Sequence, residues 1–218
     1  MTIVAINGSP RKNWNTAKLL QKTLQGAASL GSETELIHLY DLDFKGCTSC
    51  FGCKLKGSKS YGKCAMRDDL TPVLEKLAVA DAIVLGSPIY FGTVTGEMRS
   101  LMERLLFPYF VYAQPPQSLF GRKISTAFIY TMNVSEQIAT DFHYPVHFSM
   151  NQNYMARIFG QSETLCAYET LQFEDYDKVV FNYFDPAERQ KNYQQTFPKD
   201  CTKAFELGTR LARSGDCA

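Results

Sequence analysis

Neither sign of charge is in excess in this 218-residue chain. Lysine and arginine number 23 against 22 for aspartate and glutamate, a net charge of +1. The positive residues are scattered, so nothing electrostatic points to nucleic acid or an anionic membrane as a partner. Long hydrophobic runs are also missing, and none approaches the length needed to cross a bilayer. The apolar run Ile3–Ile6 has no charged segment before it and is too short for a signal-peptide core. The expected location is therefore the cytoplasm, with the protein soluble. Histidine is scarce: His38 falls in a strand pattern, and His143 and His147 share a loop without a third metal-ligating partner.

What is present suits a globular protein. With 45% hydrophobic residues the chain can bury a substantial core, and its length fits one enlarged domain, 1–218, better than two. Short β-rich runs alternate with longer helical patterns. Strands are expected at Thr2–Asn7, Glu35–Leu39, Asp81–Gly86, Lys123–Tyr130 and, more weakly, Glu163–Tyr168. Helices are expected at Thr16–Ala28, from Asp68-Asp69 to about Ala80, at Thr95–Leu106, and somewhere before Gly160. A last helical stretch, Pro186–Arg213, contains Pro198, which reads as a break because proline lacks the helix N–H. Such alternation implies βαβ units and a parallel sheet covered on both faces. For five strands the common doubly wound order is the flavodoxin-like 2-1-3-4-5, with a ligand crevice at the carboxyl ends of strands 1 and 3.

The loops after those two strands then become the place to look for chemistry. After strand 1 comes NGSPRKNWNT, positions 7–16, with hydroxyls, an arginine and backbone N–H groups at a helix start. That is an anion site. It lacks the Lys-Ser/Thr ending of a triphosphate loop and the three-glycine dinucleotide fingerprint, so one phosphate monoester suits it. After strand 3 comes GSPIYFGTVTG, positions 86–96, which brings Tyr90 and Phe91 to the crevice and glycines for close backbone approach. A phosphate site beside a flat aromatic wall describes a place for FMN.

With these two loops and the Asp-Asp-Leu segment between them, the chain resembles the NAD(P)H-dependent FMN reductase family, closest to its iron–sulfur flavoproteins. The resemblance is good over about residues 1–130 and looser beyond. It implies that Ser9, Arg11, Asn15 and Thr16 hold the FMN phosphate. It implies further that Pro88, Ile89, Tyr90, Phe91 and Gly92 line the ring, and that the loop from Thr131 through Asn133 to Val134 borders its far edge. Trp14 departs from the family pattern, where a small residue is common; its indole is expected over the phosphate or at a partner subunit. NADH or NADPH would be the co-substrate and a quinone, flavin or similar small molecule the acceptor. An electron-transfer protein is a further expected partner, and the expected assembly is a homodimer or higher homo-oligomer. No acid–base dyad is required, because the cofactor carries the chemistry.

Between the two crevice loops lies GCTSCFGC, starting at Gly46, followed by Cys64. Cys47, Cys50, Cys53 and Cys64 admit two readings. They are a ligand set for a 4Fe-4S cluster, or alternatively zinc, or they form a reduced, redox-sensitive thiol loop. In the iron–sulfur flavoproteins the fourth cysteine follows more closely than Cys64 does. The loop follows strand 2 and is expected on the flavin side of the sheet. Cys166, Cys201 and Cys217 read as a strand residue, a helix residue and a tail thiol. The aromatic, proline-rich segment Phe107–Pro116 reads either as a lid or dimer contact, or as internal packing. Two other classes compete with an FMN oxidoreductase. A non-catalytic flavodoxin or iron–sulfur electron carrier would usually be strongly acidic, and a metal or thiol sensor module would leave both crevice loops unexplained.

Overall fold

The computed structural model describes residues 1–213, so Cys217 lies outside the described residues. β1 (Thr2–Asn7) is flanked by β2 (Glu33–His38) and β3 (Ala82–Tyr90), both parallel to it. β3 carries a short antiparallel hairpin partner, β4 (Thr93–Val94), and pairs on its other side with β7 (Ile124–Thr131). β8 (Gly160–Ala167) closes the far edge, giving the order β2-β1-β3-β7-β8. This is the flavodoxin-like doubly wound sheet that the alternation implied.

Period-two alternation sends each strand's apolar residues to both faces. Val4, Ile6, Ile83, Leu85 and Phe128 form one core, with α2 (Leu70–Val79), α3 (Gly96–Leu106) and α5 (Tyr144–Phe159) over it. Ile3, Ala5, Val84, Ala127 and Ile129 form the other, beneath α1 (Asn15–Ala28) and α6 (Pro186–Arg213). α1 and α6 meet backbone to backbone. A Cβ on Gly208 would stand 1.8 Å from the Thr23 carbonyl oxygen, and one on Gly26 2.0 Å from that of Phe205. Glycine is required at both positions by this approach.

Three local expectations change. Helix α6 runs unbroken through Pro198. Burial of Phe197, Ala204, Leu207 and Leu211 along one face holds it against α1 and the sheet, offsetting the hydrogen bond that proline removes. The region before Gly160 holds two helices, α4 (Glu136–Asp141) and α5, rather than one. The loop expected after strand 3 is largely strand: β3 continues through Pro88, which pairs with Thr131, to Tyr90. The segment from Phe107 forms a tight turn and then β5 (Phe110–Val111) against β6 (Gln117–Ser118). Tyr109 from that turn packs edge-on against Phe120 and Phe159, while Tyr112 is exposed.

Candidate functional site

The carboxyl ends of β1, β3 and β7 open into one cleft. Asn7 ends β1, and its side-chain oxygen accepts from the Ser9 N–H at 3.1 Å. Its amide nitrogen lies 2.9 Å from Nδ1 of His38, at the end of β2. The N–H of Gly8 donates to the Gly86 carbonyl at 2.8 Å, tying the first crevice loop to β3. A Cβ at Gly8 would come within 2.9 Å of Met98, so α3 can approach only because residue 8 has none. Thr95 completes the brace. Its hydroxyl donates to the Gly8 carbonyl at 2.7 Å and accepts from the Met98 N–H, capping α3.

Ser9 turns the chain toward α1, its hydroxyl accepting from the Arg11 N–H at 3.2 Å. α1 then begins without a capping side chain, since Trp14 occupies the cap position and makes no such bond. A helix start of this kind leaves first-turn N–H groups for a ligand and favours negative charge. Thr16 and Thr131 are buried with their hydroxyls 2.7 Å apart, linking the first loop to the end of β7. Hydroxyls, a guanidinium and an uncapped helix start are the donor set a phosphate monoester needs.

The cleft brings together Ser9, Arg11, Asn15 and Thr16 with Pro88, Ile89, Tyr90, Thr131 and Asn133. Phe91 and Gly92 stand apart from its lining, at the tip of the β3–β4 hairpin. Both have positive φ, 49° and 84°, as a two-residue type I′ turn requires. Phe91 is fully exposed there.

Sequence reasoning missed the strap that follows β8. Arg11 donates to the Gln172 carbonyl at 2.6 Å, and Trp14 Nε1 and Asn15 Nδ2 both donate to the Leu171 carbonyl, at 2.9 and 2.8 Å. Trp14 thus anchors the strap. Asn133 donates to the Gln172 side chain at 2.7 Å and accepts from the buried Arg189 of α6 at 3.1 Å. Arg189 also pairs with Glu169 at 3.3 Å. The only signal in the sequence was a run of hydrogen-bonding residues in an irregular stretch, which fits any surface loop.

The cysteine loop leaves the sheet beside the cleft, at β2, but then packs along the far half of α3. The Cys47 N–H donates to Glu103 at 3.2 Å, and the Lys54 ammonium reaches the carbonyls of Pro108 and Phe110. Arg104 closes the loop from within. Its side chain is fully buried and donates to the Lys45 carbonyl at 3.0 Å, to Cys64 Sγ at 3.3 Å and, through two nitrogens, to Asp68. Cys47 and Cys50 are exposed, whereas Cys53 is buried. Burial pushes the Cys53 thiol up, with Lys54 opposing. None of these cysteines lines the cleft. Among the described residues no three of His, Cys, Asp or Glu form a metal-binding group, so the four sulfurs do not fit a cluster as arranged.

The model of the NADPH-dependent FMN reductase family matches residues 1–160. An iron-sulfur flavoprotein of Archaeoglobus fulgidus is 47% identical over 104 residues, 48% of each chain. One from Methanocaldococcus jannaschii is 41% identical over 104 residues, 48% of this chain and 51% of that one. The matched span is thus about half the length of those relatives. Among solved structures, an NAD(P)H:quinone oxidoreductase from Methanothermobacter marburgensis gives a TM-score of 0.68 at 12% identity, over 97% of this chain and 98% of that one. An FMN-dependent NADH-azoreductase from Bacillus anthracis, in complex with FMN, gives 0.64 at 15%, over 97% and 100%. At such identities the likeness is one of fold.

Proposed function

The chain belongs to the NADPH-dependent FMN reductase family, and from that premise we propose that it is an FMN-dependent oxidoreductase. Electrons would pass from NADH or NADPH to a small acceptor such as a quinone or a flavin. The observation that carries this reading is the convergence of the uncapped α1 start, Ser9, Arg11 and Thr16 with Pro88, Ile89 and Tyr90 in one cleft. The whole chain then acts as one flavodoxin-like unit carrying a cysteine-rich insertion at 46–64.

FMN, when bound, would supply the redox chemistry that links a nicotinamide to the acceptor. The chain's own residues do the rest. Ser9, Thr16 and the first-turn amides of α1 hold the phosphate, and Arg11 balances its charge. Asn15 is fixed for this task by Tyr193, whose hydroxyl donates to its side-chain oxygen at 2.8 Å. Pro88, Ile89 and Tyr90 border the ring, opposite the Thr131–Val134 segment. That segment is held in place by the Met132 N–H donating to the Ala167 carbonyl at 3.0 Å. No electron step is assigned to the cysteines.

The test is anaerobic mixing of flavin-loaded protein with NADH and, separately, NADPH. Loss of the oxidised flavin's visible absorbance with at least one of them is the expected result. If neither nicotinamide bleaches the flavin while a reduced ferredoxin-type protein does, the chain is an electron carrier instead.

A further inference from the structure

Trp14 makes contacts that the start of a helix does not require. It holds the cap position of α1, where a short polar side chain ordinarily bonds a first-turn N–H, yet its side chain makes no such bond. The indole crosses to the strap instead, Nε1–H donating to the Leu171 carbonyl at 2.9 Å. The Arg11 guanidinium lies 4.9 Å from the ring centre and Lys18 Nζ 5.5 Å from it, so two cations hold the ring in place. Arg11 also donates to the Gln172 carbonyl, and Asn15 to the same Leu171 carbonyl. Three side chains of the first crevice loop thus converge on two adjacent strap carbonyls.

The strap is fixed from its other side as well. The Glu169 N–H donates to the Val134 carbonyl at 3.0 Å, and the Thr170 N–H to that of Met132 at 2.9 Å. Thr170 and Leu171 are buried. Trp14, Leu171 and Gln172 all line the cleft beside Arg11, Asn15 and Thr16. The bridge therefore borders the end of the cleft that suits a phosphate. A monoester can stop there, whereas a phosphate esterified to a second nucleotide must continue outward past the bridge. Arg11 and the α1 amides attract either kind of phosphate, so they separate FMN from riboflavin but not FMN from FAD. Only an obstacle can do the second.

We propose that Trp14 is a specificity-determining residue: bridged to Leu171, its indole closes the phosphate end of the cleft and rejects flavins whose phosphate carries a further nucleotide. This rests on the FMN reading above, and the experiment separates the two.

Equilibrium dialysis of the full chain against FMN, FAD and riboflavin, on wild type and three variants, is that experiment. Trp14→Gly removes the bridge and leaves a residue suited to the cap position, and Trp14→Ser supplies a true cap should the glycine variant fail to fold. In both, FAD should bind more tightly, narrowing the FMN-to-FAD affinity ratio by at least about tenfold. Trp14→Phe keeps a ring, and Asn15 still holds the Leu171 carbonyl, so its ratio should stay within about threefold of wild type. FAD binding unimproved in both small variants, with FMN still held well by wild type, would overturn the proposal alone. So would parallel weakening of all three flavins in both, which a purely structural anchor would give. Wild type binding FMN no better than riboflavin would overturn the flavin reading, and this proposal with it.

Discussion

His38 meets the Asn7 amide through a ring nitrogen that must keep its lone pair. Asn7 Oδ1 is committed to the Ser9 N–H, so it is Nδ2 that faces His38 Nδ1 as a donor. Burial lowers the pKa of His38 below 6.5, opposed by Asp41 and assisted by Lys12. A depressed folded pKa means that the neutral form is the one the fold favours. Its contribution is complete above about pH 6.5 and is lost as pH falls through the lowered folded value. Protonation also removes the acceptor for Asn7, and Asn7 orients Ser9. FMN affinity and thermal stability should therefore decline together on acidification from pH 6.5, by an amount equivalent to about 1 kcal/mol for one hydrogen bond. His38→Gln should flatten that part of both profiles. A wild-type profile already flat there would remove His38 from the account. At this scale Ser9, Arg11 and Thr16 were legible because their types and spacing announce an anion loop. The Asn7–His38 contact was not, because it depends on which strands are neighbours.

The β3–β4 hairpin shows what an element holds that its residues do not announce. Two-residue type I′ turns favour Asn-Gly, since both central residues need positive φ. Here the first is Phe91, exposed and at φ 49°. An ordinary L-residue in that conformation costs about 1–2 kcal/mol, and asparagine less. Phe91→Asn should raise unfolding stability by about 1 kcal/mol in a denaturant titration. Gly92→Ala should lower it, because residue 92 also has positive φ and a Cβ there would sit 3.1 Å from the Tyr144 ring. If Phe91→Asn instead weakens flavin binding while raising stability, the exposed ring is kept for the site. A neutral or destabilising Phe91→Asn would contradict the strain argument. The sequence marked this stretch as a crevice loop from its glycines and aromatics. It could not show that Ser87 to Tyr90 remain strand, because that follows from the pairing of Ser87 and Pro88 with β7 and of Ile89 and Tyr90 with β4. Pro198 misled in the opposite direction, since a proline reads as a stop unless the packing that spans it is known.

For the whole molecule, the parallel sheet covered on both faces was readable from alternation, and its order from the doubly wound arrangement common to five strands, whereas the positions of the strap and the cysteine loop were not. Both are irregular segments whose positions are set by partners distant in sequence: Leu171 and Gln172 by α1, and Cys64 by Arg104 of α3. The Arg104 guanidinium joins both ends of the cysteine loop, at Lys45 and Asp68. Because no three metal-ligating side chains gather among the described residues, protein prepared without oxygen should lack stoichiometric iron and sulfide. Iron in proportion to flavin, lost in Cys50→Ser, would show that the loop rearranges into a cluster site. The central claim is that the cleft is built for one phosphate monoester and the ring it carries. Equilibrium titration with FMN, riboflavin and FAD, on wild type and Arg11→Ala, tests it most directly. Wild type should bind FMN well above riboflavin and FAD. Arg11→Ala should weaken FMN by roughly one to two powers of ten, as loss of a charge-assisted bond of about 1–3 kcal/mol requires, and leave riboflavin nearly unchanged. Equal affinity for FMN and riboflavin in wild type, or FMN binding indifferent to Arg11, would contradict it.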